Sequence, residues 1–233
     1  MNDMKVVFLD IDGVIQPLGK QDRFKHLDEI EEIAKALDQK IPGFNYYEYV
    51  SEENYPESFF GVYSRKCNLC AVLFDWPKEA VRYLTEVLEY QNAKIVISSD
   101  WRDSGSRIMK AFLAVWSLDK YFYGMLDGRS FEEPTEGQTR ARNYFAEKFG
   151  RYSFDSRAAD IRDYLDSHRE ITSYVAVDDR NLRTPVENHF VFFNDGKVID
   201  ERRARQMDEI LSIEDGPYPL PVFRNGTPIS AIS

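Results

Sequence analysis

The strongest constraint on the fold is an alternation. Four short apolar runs, MKVVFLDI (4–11), AKIVIS (93–98), SYVAV (173–177) and HFVFF (189–193), are separated by stretches of helical periodicity. Each run is continuous in hydrophobicity and rich in Val, Ile and Phe, as a strand is when both of its faces are covered. Between them, DWPKEAVRYLTEVLEY sets Val81, Leu84 and Leu88 on one stripe behind a first-turn Pro77. SRIMKAFLAVW does the same with Ile108, Phe112 and Val115, and SRAADIRDYLDSH opens at a capping Ser156 and buries Ile161 and Leu165. Strands alternating with helices need right-handed crossovers and form a parallel sheet. The expected fold class is α/β: a doubly wound, Rossmann-like parallel sheet with helices on both faces.

The spacing is uneven. About sixty residues separate the first strand from the helix that begins near Pro77, too many for one crossover in a compact unit. This insert (16–76) opens with an amphipathic helix, HLDEIEEIAKALDQK, with Leu27, Ile30, Ile33 and Leu37 on one stripe. It continues into the aromatic-rich FNYYEYVSEENYPESFFGVY. The expected organisation is a core of residues 1–15 and 77–213, a small cap over the active face at 16–76, and an extended Pro- and Gly-marked tail at 214–233. The bland alternative for the insert is a decorated loop on the sheet edge.

The first run carries an anomaly. Asp10 and Asp12 stand inside VVFLDIDGVI, where an ionised carboxylate is costly to bury unless it is paired or bound to a metal. In an open α/β sheet, ligands bind beyond the carboxyl ends of the strands. Three predicted strand ends carry matching chemistry there: DID (10–12), SSD (98–100) and DD (178–179). Paired acids at two strand ends suit a hard cation such as Mg²⁺, which takes one or two carboxylates and a substrate phosphate. The serines offer hydroxyl and backbone donors to that phosphate. The bland reading of DID is a solvated strand end.

DIDGV after an apolar strand, SS after a second, an Arg-headed helix and DD after a further strand resemble the four signature motifs of the haloacid dehalogenase-like (HAD) phosphohydrolases, over roughly residues 4 to 212. More narrowly, KIVISSDWR, AADIRDYL, YVAVDD and FFNDGKVIDERRARQMDEIL are similar to the HAD domains found in Swiss Army Knife RNA repair proteins. The resemblance implies a Mg²⁺-dependent phosphomonoester hydrolase. Asp10 would be the nucleophile that forms an aspartyl-phosphate. Asp12 would be the general acid and then the base. Asp10, Asp179 and Asp178 would hold Mg²⁺, joined by the backbone carbonyl of Asp12. The phosphate-binding serine would be Ser98 or Ser99. The basic partner of nucleophile and phosphate would be Arg157, with Arg162, Arg151 and Lys148 as alternatives. Arg102, just past the serines, is either a substrate clamp or half of a structural ion pair with Asp100 or Asp103.

Other features constrain partners. The net charge of −10 argues against bulk attraction to nucleic acid or anionic membrane and leaves room for a local basic groove. No apolar run approaches the roughly 20 residues of a membrane helix. The start, MNDMKVVFLDIDG, has no signal core and runs straight into the proposed catalytic strand, so a cytoplasmic origin is expected. The segment QTRARNYFAEKFGRYSF interleaves Arg140, Arg142, Lys148 and Arg151 with aromatics. That pattern fits a single-stranded nucleic-acid groove, or an amphipathic helix with Tyr144, Phe145 and Phe149 inward. The two cysteines, Cys67 and Cys70, form a lone C-x-x-C that reads as small apolar side chains, or as half of a redox or zinc site.

The expected partner is a phosphorylated substrate: a nucleic-acid end, a nucleotide or other small phosphoester, or a phosphoprotein. A phosphomutase or a non-catalytic phosphate-binding scaffold is the alternative on the same fold.

Overall fold

The computed structural model describes residues 4–51, 59–126, 156–182 and 186–213, with short pieces at 223–224 and 227–228. Five strands form one wholly parallel sheet: β1 (Met4–Leu9), β2 (Ala93–Ile97), β3 (Phe122–Met125), β4 (Ile171–Asp178) and β5 (Phe190–Phe192), in the order β3-β2-β1-β4-β5. The described helices are α1 (Ile30–Lys40), α2 (Tyr46–Val50), α3 (Phe59–Cys70), α4 (Lys78–Gln91), α5 (Ser106–Ala114), α6 (Ser156–Ser167) and α7 (Glu201–Leu211). The expected doubly wound α/β architecture is present.

The apolar runs are buried on both sides because alternate residues feed two separate layers. Val7 and Leu9 of β1 join Ile95, Ile97, Val175 and Val177 on one face, under α1, α2, α4, α5 and α7. Val6 and Phe8 join Val96, Tyr174 and Ala176 on the other, under Ala158, Ile161 and Leu165 of α6. Phe8 sits edge-on between Tyr164 and Tyr174, 5.8 Å from each ring, a geometry that aromatic pairs favour.

Boundaries differ from the sequence reading at several points. β1 ends at Leu9, so Asp10 and Asp12 lie just beyond the strand rather than within it. Pro77 is the residue before α4, its carbonyl accepting from Val81 N, not a member of the first turn. β3, the sheet's far edge, was not foreseen from FYGM, a short segment whose side chains are mostly half-exposed and lack the continuous apolar signature of the inner strands.

The insert does not stand clear of the core. Ile30, Ala34 and Leu37 of α1, with Tyr46, Tyr49 and Val50 of α2, join the same apolar layer as Val7 and Leu9. Asp38, late in α1, accepts from the backbone N–H of Tyr46 (2.6 Å) and Tyr47 (3.0 Å), capping the orphan donors at the start of α2. The Tyr46 hydroxyl then donates to Ala111 O of α5 at 2.6 Å.

The segment 138–154, with Arg140, Arg142, Lys148 and Arg151, lies outside the described residues, as does the side chain of the capping Ser156. So does most of the tail 214–233, where Phe223–Arg224 pairs antiparallel with Thr227–Pro228. Among the described residues, no helix is long and apolar enough to cross a membrane.

Candidate active site

Register brings the three motifs together. β1 lies between β2 and β4, with Leu9 opposite both Ile97 and Val177. Ser98, Asp10 and Asp178 are the next residue on each strand, so parallel pairing sets them in one row at the carboxyl edge. Ser98 N donates to Leu9 O (2.9 Å) and Asp10 N to Val177 O (3.1 Å), carrying the ladder one step past the strands. Asp10, Asp178 and Asp179 each offer an oxygen within 4.8 Å of the others, the only such group of His, Cys, Asp or Glu among the described residues.

Arg157, at the start of α6, enters this row from the other layer. Its Nη1 donates to Asp178 Oδ2 at 2.7 Å and lies 3.0 Å from Asp10 Oδ2, while Nη2 donates to Asp100 Oδ1 at 3.0 Å. Burial alone would lower the Arg157 pKa; the charges of Asp10, Asp178 and Asp100 more than offset it, and the guanidinium stays charged. Burial, then the charge of Asp10, pushes the Asp178 carboxyl up, against hydrogen bonds from Arg157 and from Arg180 N (2.8 Å). Asp179 is raised by the same two causes, burial first, and accepts no hydrogen bond among the described residues. Three carboxylates thus crowd around one buried guanidinium, two of them pushed up chiefly by burial.

Asp12 is held apart from that group. After β1 the chain coils tightly: Ile11 O accepts from Val14, Ile15 and Gln16, and Gly13 N donates to Gln16 O at 2.8 Å. Gly13 has φ +76°, and a Cβ there would meet Asp179 Oδ2 at 2.6 Å, so both backbone and space require glycine. The turn directs the Asp12 carboxylate at two neutral donors, Gln16 Nε2 (2.6 Å) and Trp101 Nε1 (2.8 Å). Burial raises its pKa, the Trp101 hydrogen bond lowers it, and the charge of Asp10 raises it again, for a net upward shift.

The two serines are distinguished. Ser99 Oγ accepts from Trp101 N at 3.4 Å and caps the short turn Asp100–Ser104. Ser98 Oγ is buried with no hydrogen-bond partner among the described residues. Arg102 needs a correction: it is 3% exposed, donates to Ser98 O at 3.2 Å and faces Asp160 at 3.7 Å. It braces the carbonyl of Ser98, and its ion-pair partner is Asp160 rather than Asp100 or Asp103. Arg162 is buried too and donates to the Tyr174 hydroxyl at 3.3 Å, away from the acids. Lys148 and Arg151 lie outside the described residues. Cys67 and Cys70 are free thiols; burial pushes Cys70 up to about 12.

Sequence reasoning missed three participants, Gln16, Trp101 and Arg180, and the partners of Asp100. Gln16 and Trp101 grip Asp12, and Asp100 joins Arg157 to Arg180, whose Nη2 donates to Asp100 Oδ2 at 3.4 Å. Trp101 and Asp100 sit within the noted SSDWR, but only the turn's geometry shows which way they face. Gln16 had no signal beyond its distance of four residues from Asp12.

No curated protein matches the chain, and neither does any solved structure. A family model, described as the HAD domain in Swiss Army Knife RNA repair proteins, matches residues 6–204, a span that holds Asp10, Asp12, Asp100, Asp178 and Asp179. With that match over most of its length, the chain belongs to the family of HAD domains found in Swiss Army Knife RNA repair proteins.

Proposed function

We propose that this chain is a Mg²⁺-dependent phosphomonoester hydrolase acting through a phosphorylated Asp10, with phosphate on a nucleotide or RNA end as the substrate class. The observation that carries the reading is the pairing of two differently placed carboxylates: Asp10 in the row with Asp178, Asp179 and Arg157, and Asp12 gripped by Gln16 and Trp101. Environments that separate two carboxylates in this way divide nucleophile from acid–base group.

The donor set fits a hard divalent cation. Three carboxylates converge within 4.8 Å, and Asp179 accepts no hydrogen bond from the described residues to offset its charge. Asp10, Asp178 and Asp179 would hold the ion, with the Asp12 backbone carbonyl beside them, and the ion when bound would screen the anionic nucleophile from the anionic substrate.

The chain's own residues supply the rest. Ser98 Oγ, buried and unengaged, donates to a phosphate oxygen, and Arg157 holds Asp10 in place and offers positive charge to the phosphoryl group. An Asp10 oxygen attacks phosphorus as the bond to the leaving oxygen breaks, and Asp12 gives that oxygen its proton. Water then attacks the phosphorus of the aspartyl-phosphate, Asp12 takes the water proton, and Asp10 is released with inorganic phosphate. The raised pKa of Asp12 favours the protonated form that the first step needs.

The nucleotide or RNA-end assignment rests on the family description, and the net charge of −10 favours a short anionic ligand over a long polyanion. The test is hydrolysis of an aryl phosphate with and without Mg²⁺, wild type beside Asp10→Asn. The expected result is metal-dependent release of phosphate that falls at least about a thousandfold in the variant, as loss of a covalent nucleophile demands. Equal turnover by a clean Asp10→Asn preparation would remove Asp10 from the chemistry.

A further inference from the structure

Arg23 lies in the insert, on the short turn Asp22–Lys25, outside every motif considered above. Its backbone N–H donates to Asp75 Oδ1 at 3.2 Å and its Nε to Asp75 Oδ2 at 2.5 Å. Asp75 is wholly buried, so this pair is a fixed mount: a desolvated carboxylate grips one edge of the guanidinium and leaves it few orientations. The other edge is uncommitted. Among the described residues, Nη1 and Nη2 of Arg23 have no hydrogen-bond partner, and the side chain is 16% exposed. A fork held by Nε alone keeps the two nitrogens suited to bidentate recognition of a phosphate or carboxylate.

The mount stands on the Asp12 side of the site. Trp76, next to Asp75, lies 6.4 Å from the Trp101 ring, and Trp101 Nε1 donates to Asp12. The Arg23 charge is felt at Asp12, where it acts to lower the carboxyl pKa. Trp76 Nε1 is a further buried donor in this corner with no partner among the described residues. Arg157 is already committed to Asp10 and Asp178, where the transferred phosphoryl group would sit. A cation mounted on the Trp101 side of Asp12 is placed to meet the leaving group.

We infer that Arg23 is a specificity residue for the leaving group, and that the substrate carries a second anionic group, a phosphate, on the portion that departs. This deepens the phosphatase reading and rests on it for the direction of the substrate. A nucleoside bisphosphate and a phosphorylated RNA end share this chemistry, because each places a second phosphate one nucleoside away from the scissile one.

Binding separates this inference from the reaction itself. Full-length Asp10→Asn protein, which keeps ligands intact, is titrated calorimetrically in Mg²⁺ with adenosine 5′-monophosphate, adenosine 3′,5′-bisphosphate and the 3′-phosphorylated dinucleotide ApAp, each with Arg23 and with Arg23→Gln. With Arg23 present, a ligand bearing the second phosphate binds at least about tenfold tighter than the monophosphate, as a charge-assisted contact allows. With Arg23→Gln the gap closes. A gap for ApAp marks a chain end as the substrate, and a gap for the bisphosphate alone marks the free nucleotide. No gap with Arg23 present, or an equal gap without it, overturns the inference. General damage from exposing Asp75 weakens all ligands alike and leaves the ratio unchanged, and Arg23→Lys, which keeps the charge, retains part of the gap. Failure of wild-type protein to hydrolyse aryl phosphate would count against the phosphatase reading and leave this ratio to be read by itself.

Discussion

The Arg157 guanidinium stands 2.7 Å from the Asp178 carboxylate, and the same nitrogen reaches Asp10 at 3.0 Å. One buried cation thus joins the ends of two adjacent strands. Its removal leaves Asp10 and Asp178, 3% and 0% exposed, facing one another without a counter-charge.

Arg157→Met is therefore expected to destabilise the protein by about 3–5 kcal/mol, the usual result of stranding one partner of a buried ion pair. Arg157→Lys should recover part of that loss, since a point charge replaces only some of a fork that also reaches Asp100 at 3.0 Å. Urea midpoints of the three proteins, taken without divalent metal, give the comparison. A midpoint for Arg157→Met equal to wild type would show that the two acids do not depend on this arginine.

The same relationship shows what a sequence can and cannot disclose. DID, SSD and DD were readable because each follows an apolar run, and parallel pairing of such runs forces their next residues into one row. Arg157 was readable only as one of several cations, since nothing in SRAADIRDYL says which arginine points across the sheet edge. The ion-pair partner of Arg102 was hidden for the same reason: its place after SSDW says nothing of the turn at Asp100–Ser104 that sets it on Asp160. Gln16 and Arg23 were invisible because nothing in the sequence marks their partners, Asp12 across a coiled turn and Asp75 some fifty residues away at the other end of the insert. β3 was missed because an edge strand has one covered flank and little apolar signal.

Burial pushes the carboxyls of Asp12, Asp178 and Asp179 above their ordinary range, with the Asp10 charge adding to each. A group raised in this way holds its proton in the folded state at a pH where the unfolded chain has released it. Its contribution to stability is full below the ordinary carboxyl value, near 4, and is lost as pH rises through the folded value. Acids shifted the other way, such as Asp22 and Asp195, are exposed and screened, so they weigh less. Metal-free protein should melt a few degrees lower at pH 8 than at pH 5, and Mg²⁺ should raise the melting temperature at pH 8 but hardly at pH 5. Asp179→Asn should blunt the Mg²⁺ response. Scanning calorimetry at the two pH values decides it, and a Mg²⁺ effect of the same size at both would argue that these acids do not titrate together with metal binding.

Trp101 is the residue that would tune Asp12 as the proposed general acid. Its indole N–H donates to Asp12 Oδ2 at 2.8 Å and holds the carboxyl pKa down against burial. Trp101→Phe keeps a ring to pack 5.8 Å from Phe112 and removes only the donor. The Asp12 pKa then rises further, because the bond lost was one to the charged form. Transfer of a proton to the leaving oxygen needs Asp12 protonated, so kcat/KM falls as pH rises through this pKa. In the variant that alkaline limb should move upward by about one pH unit, the scale of a single hydrogen bond to a carboxylate in a partly buried site. A pH profile of aryl phosphate hydrolysis reads the shift. Loss of packing alone would lower the rate by one factor at every pH and leave the limb in place, and that outcome would return Trp101 to a purely structural role.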